Sequence, residues 1–150
     1  MTKEIETKPF GKMVIDERQI LDFPDGILGF ENYTQFALIE ENHESPFKWL
    51  QSLTELDLAF IVIQPDLFAP DYRPVLGQED LDGIGLVSLD EAVVMTIVTI
   101  PNDNPQKMTA NLQGPVVINP KNGKAKQFIS KNENHPVRKM ILDNAPMEKV

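Results

Sequence analysis

The 150-residue chain contains no cysteine. That absence removes disulfide bridges, thiolate metal sites and cysteine nucleophiles together, and it fits a reducing compartment. Histidine is scarce: His43 and His135 lie far apart, each in a polar stretch with no second histidine or cysteine beside it, so no metal site is expected. Long apolar runs are missing as well. The longest, Leu58–Ile63 and the stretch around Val93, fall far short of the ~20 residues of a membrane helix, and residues 1–6 have no apolar leader. The reading is therefore cytoplasmic, with no membrane segment. There is no G-x-S-x-G elbow, no phosphate-cradling loop and no dinucleotide fingerprint, because Gly83-Ile84-Gly85 lacks a third glycine and a preceding strand. Carboxylates come in near pairs (Asp22 and Asp25, Asp66 and Asp71, Asp80 and Asp82), but acid pairs in turns are mostly solvated. A carboxylate hydrolase would need two of them opposed across a cleft at a set separation. No enzyme activity and no cofactor are expected.

Basic residues are few overall and unevenly placed. The net charge is −9; residues 1–104 hold 6 Lys/Arg against 20 Asp/Glu, a net of −14, while residues 105–150 hold 8 against 3, a net of +5. An acidic body repels phosphate backbones, so direct nucleic-acid binding is not expected. Lys121, Lys124 and Lys126 have no aromatic platform on which bases could stack and suit a solvated hairpin tip.

What the chain does contain is strand signal. Residues 92–100 (AVVMTIVTI) are almost purely β-branched and apolar, and Leu58–Ile63 is similar; both suit central strands. After Pro101, the segments 108–114, 115–120 and 125–130 are further strand candidates. Lys121-Asn122-Gly123-Lys124 supplies a hairpin signal, and together these predict an antiparallel meander. Upstream, 4–7, 12–15, 19–23, 27–31, 36–39 and 46–52 have strand character, with Pro24-Asp25-Gly26 as a turn. Along 46–52, Phe47, Trp49 and Gln51 alternate with Lys48, Leu50 and Ser52, and the pattern leaves open which face is inside. Residues 78–82 and 88–91 have room for one helical turn each, too short for the crossover helix of a parallel sheet. About nine to eleven short strands, with turn signals roughly every 8 to 12 residues, predict an all-β domain. Its expected architecture is a small antiparallel barrel or barrel-like sandwich over residues 1–143, with a frayed tail at 144–150.

The proline-rich segment 65–74 contains Phe68, Asp71 and Tyr72. Its apolar residues either remain exposed as a contact patch or fold back to cap the barrel mouth.

Four fragments carry a specific resemblance: FGKMVIDERQILDFPDGILGFE, SPFKWLQSLTELDLAFIVIQPDLFAPDY, VVMTIVTIP and MTANLQGPVVINPKNGKAKQ. In order and spacing, from about Phe10 to Gln127, they are similar to the FliW family of bacterial flagellar assembly factors. The resemblance implies a non-enzymatic, chaperone-like regulator that binds flagellin. It also implies sequestration of the translational repressor CsrA, relieving repression of flagellin message. An acidic body suits a basic RNA-binding partner by long-range complementarity. The resemblance supplies no motif-anchored contact set, so partner-binding residues are assigned on expected exposure. They are Phe68, Asp71 and Tyr72 in the proline loop and Met108, Asn111, Gln113 and Asn119 on the meander. A monomer is expected. The alternative reading is a small-ligand- or carbohydrate-binding β-barrel, which would require an unfilled interior.

Overall fold

The computed structural model describes residues 1–40 and 42–142; the expected frayed tail at 144–150 lies outside them. The described residues form eleven strands: β1 (Thr2–Thr7), β2 (Gly11–Asp16), β3 (Ile20–Asp22), β4 (Gln35–Ile39), β5 (Phe47–Ser52), β6 (Ala59–Ile63), β7 (Val93–Thr99), β8 (Thr109–Ala110), β9 (Val116–Ile118), β10 (Ala125–Gln127) and β11 (Lys139–Met140). One helix, α1 (Gln78–Asp82), and short 3-10 turns such as 65–67 and 89–91 complete the set. The strand pairs are antiparallel, as short local connections require.

The main sheet runs β10-β9-β7-β6-β5-β4-β3, so the two purely apolar strands β6 and β7 sit side by side at its middle. The expected meander is corrected in one respect. β8 and β9 do not pair with each other but lie end to end along one edge of β7, with Val98 opposite Ala110 and Met95 opposite Val116. Between those pairs, Thr96 and Ile97 on β7 face the five residues 111–115. That excess is larger than an ordinary bulge, which adds one residue. Gly114 and Pro115 explain the break. Proline cannot donate to a ladder, and the Gly114 N–H turns instead to the Asn111 side chain at 2.9 Å. Past the break the partner strands diverge, β9 to β10 and β8 to β11.

The sheet curls until its edges meet at a single parallel bridge between Asp22 and Lys124, where the Asp22 N–H donates to the Gly123 carbonyl at 2.8 Å. One bridge is not a ladder, and the architecture is a barrel-like sandwich. The interior is filled by Leu21, Phe23, Ile27, Phe36, Leu50, Val62, Met95, Val116, Ile118 and Ala125, which leaves the ligand chamber of the small-ligand reading occupied by side chains. The expected strand at 27–31 is instead a tight turn closed by an Ile27–Phe30 bridge. Gly26, at φ +67°, enters it where an added Cβ would stand 2.6 Å from the Glu31 Cα, so only glycine fits.

The β1–β2 hairpin answers the question left open at 46–52. It lies over the outer face of β4 and β5, with Ile5 and Ile15 against Ala37 and Ile39, and Trp49 packed at the margin of that cluster. Both faces of β5 are therefore covered toward its end, and alternation could not choose between them. Gln51 is fully buried there. Its Oε1 accepts the Lys8 N–H at 2.8 Å, and its Nε2 donates to the carbonyls of Ser52 and Leu56 at 3.0 and 3.1 Å. One side chain thus ties the hairpin to the sheet. Gln51→Leu leaves these groups unpaired and is expected to destabilise the fold by about 1–3 kcal/mol. At ~2–4 °C per kcal/mol for a chain of this size, circular dichroism should show a lower melting temperature; an unchanged one would refute the pinning role.

Candidate protein-binding surface

The proline loop begins where β6 ends. Pro65 opens a 3-10 turn, its carbonyl accepting the N–H groups of Phe68 and Ala69 at 3.2 and 2.7 Å. The loop folds back onto the second half of β7. Phe68 joins Ile63, Val98, Ala110, Leu112 and Ile141 in a cluster separate from the main interior, flanked by Tyr72 and Met108. Of the two outcomes open to this loop, capping is the one observed. The Tyr72 hydroxyl donates to the Leu112 carbonyl at 2.6 Å, and its ring meets His135 edge-on with centroids 4.7 Å apart. Burial pushes the Tyr72 phenol above its usual range. Further along, the Ser130 hydroxyl accepts the Val75 N–H at 3.1 Å and lies 2.8 Å from His135 Nδ1. The C-terminal segment thereby clasps the loop.

Exposure, the basis on which seven residues were assigned, holds fully only for Asp71. Phe68 is 7% exposed and Asn119 4%, which corrects the expectation for both. Phe68 is drawn in by its apolar cluster. Asn119 is consumed by turn chemistry: its Nδ2 donates to the Ile84 carbonyl at 2.9 Å and its Oδ1 accepts the Lys121 N–H at 3.0 Å. Tyr72, Met108, Asn111 and Gln113 are half-buried. Gln113 Nε2 donates to the Ser130 carbonyl at 2.8 Å, which holds the C-terminal segment against the break between β8 and β9. Phe68, Tyr72, Met108, Asn111 and Gln113 are thus brought to one end of the molecule by β8 and the loop, while Asn119 belongs to the β9–β10 turn.

A cleft of about 240 Å³ lies beside the loop and escaped the sequence reading. It runs between residues 64–66, 72–74 and 89–94 and carries Asp66, Asp90 and Arg73, the last bonded to Asp90 at 3.1 Å. The Ser-Leu-Asp-Glu string was a usable signal. Ser88 caps the short turn by accepting the Asp90 N–H, and Glu91 reaches back to the Ser88 N–H, a capping box that leaves Asp90 on the solvent side. Among the described residues no three His, Asp or Glu side chains gather as a metal site, and no helix is long and apolar enough to cross a membrane.

Tyr72→Phe removes the hydroxyl that donates to the Leu112 carbonyl, and a cost of about 1–2 kcal/mol is expected. Asp71→Ala, at an exposed position, should stay within about 0.5 kcal/mol. Because the Tyr72 phenol is raised in the folded chain, the stability it confers is intact below the unfolded tyrosine value of about 10 and falls as pH climbs above it. Chemical denaturation at pH 8 and pH 11 should show a smaller alkaline loss in Tyr72→Phe than in the parent. Equal losses would refute the assignment.

Comparison with known proteins bears on what this surface serves. The family model FliW protein matches residues 3–141. The flagellar assembly factor FliW of Leptospira interrogans (serovar Lai) is 56% identical over 145 residues, 97% of each chain. That of Treponema denticola is 45% identical over 126 residues, 84% of each. A crystal structure of the flagellar assembly factor FliW superposes with a TM-score of 0.83 at 32% identity, covering 93% of this chain and 96% of that one. With sequence and fold agreeing from the first hairpin to β11, the chain belongs to the FliW family.

Proposed function

We propose that this protein is a non-enzymatic, cytoplasmic flagellar assembly factor that acts by binding other proteins as a monomer. It holds flagellin, and it sequesters the repressor CsrA, which frees flagellin message for translation. The observation that carries the reading is the near-full-length likeness to relatives named flagellar assembly factors. Two physical features support it. The filled interior suits a surface that binds macromolecules rather than a chamber for a small ligand. The net of −14 on residues 1–104 would steer a basic RNA-binding partner toward this chain from a distance. Asp71, Met108, Asn111 and Gln113 are the proposed partner-facing positions, with Phe68 and Tyr72 shaping the surface beneath them.

Capture from a lysate of motile cells with the tagged full chain tests the reading. At about 0.15 M salt both flagellin and CsrA should be retained. At about 1 M, where the screening length falls from about 8 to 3 Å, CsrA should be lost preferentially. If neither protein is retained at either salt from cells that contain both, the proposed function is wrong.

A further inference from the structure

Among the described residues, β7 has one position, Val94, whose backbone groups meet no partner on the β6 side. On the β6 side its ladder ends at Ile63 opposite Thr96, and the same register places Pro65 opposite Val94. Along an antiparallel strand each residue directs its N–H and C=O to one edge and the next residue to the other. The Ile97 carbonyl accepts the Asn111 N–H at 3.0 Å, so Ile97, Met95 and Val93 serve the β8–β9 edge, and Thr96 and Val94 serve the β6 edge. The turn facing Val94 cannot complete the pair. Pro65 has no N–H, and its carbonyl is committed to Phe68 and Ala69.

Val94 opens into the 240 Å³ cleft, which Leu89, Ala92 and Val93 line with apolar surface and Asp66 and Asp90 with carboxylates. The volume is below the roughly 300–1,000 Å³ of a small-molecule pocket, and a strand with free backbone groups is a template for an added strand. Every lining residue comes from the part of the chain that carries a net of −14, and Arg73, the cation at the rim, is already bonded to Asp90. We propose that this cleft takes an extended, lysine- or arginine-bearing segment of a partner protein, which pairs with the Val94 backbone and sets its cations against Asp66 and Asp90. This deepens, and rests on, the reading that the chain works by binding proteins.

The test titrates the isotopically labelled full chain, followed by amide NMR, with three capped hexapeptides: alternating Lys-Val, alternating Glu-Val, and Lys-Val N-methylated throughout. The Lys-Val peptide should shift the amides of Val93–Met95, of Gln64 and Asp66, and of residues 89–91, while the Glu-Val peptide leaves them in place. N-methylation, which abolishes the peptide's backbone donors and keeps its lysine charges, should weaken binding at least tenfold. The double variant Asp66→Asn, Asp90→Asn, both positions being exposed, should keep the parent spectrum elsewhere and lose most of the Lys-Val affinity. No shift at these amides, shifts confined to another surface, or equal affinity for the methylated peptide would overturn the proposal. If flagellin and CsrA are still captured while the peptide fails, the cleft assignment alone falls. If capture fails as well, the protein-binding reading falls with it.

Discussion

The structure depends on β7 being paired along both edges. A buried strand must satisfy its N–H and C=O groups or lose roughly 1–3 kcal/mol for each one left bare. β7 meets this along most of its length with three partners, β6 on one edge and β9 and β8 in succession on the other, and Val94 faces the cleft on the β6 side. Because β8 and β9 share one edge, the five residues between them must leave the sheet. That excursion leaves Asn111 and Gln113 half-exposed while Leu112 packs inward, and the Pro136 carbonyl accepts the N–H groups of Leu112 and Gln113 at 2.9 and 3.1 Å. The location of the candidate surface therefore follows from how β7 is satisfied.

Polar side chains do a second kind of fastening. Gln51 ties the β1–β2 hairpin to the sheet. Gln127, also buried, accepts the Leu28 N–H at 3.1 Å and donates to the Gly114 carbonyl at 3.0 Å, joining the 27–31 turn to the break after β8. Tyr72 and Ser130 do the same for the proline loop. Each spans a long sequence separation, so loops that would otherwise be mobile are held on a rigid frame, as suits a binding surface. The frame is apolar, while the fasteners are polar groups in the positions where a lost partner is most costly.

Charge is distributed to match. The acidic excess lies in the part of the chain that supplies β1 to β7 and the proline loop, whereas the basic residues cluster from β9 onward, where Lys126 pairs with Asp25 at 3.0 Å and stands 5.6 Å from the Phe128 ring centre. An exposed pair of this kind contributes little to stability. Its consequence is to neutralise one charge of each sign, so the net excess of the chain stays acidic.

The sequence by itself determined the all-β class, the central place of β6 and β7, the two short helical turns and the family resemblance. These rest on local pattern: β-branched runs, proline and glycine punctuation, and capping residues act over a few positions and can be read there. Tertiary structure alone decided three things. Which face of β5 is inside was undecidable because a hairpin forty residues away covers the second face. The meander became an interrupted edge because hydrogen-bond satisfaction of β7, a long-range demand, outweighed the sequential pairing that the pattern suggested. Phe68 and Tyr72 are covered because the proline-rich string folds onto distant partners, Leu112 and Ile141, and Asn119 is covered because its side chain turns to the Ile84 carbonyl. Burial is a property of the assembled fold, and no residue carries it in its own neighbourhood of the chain.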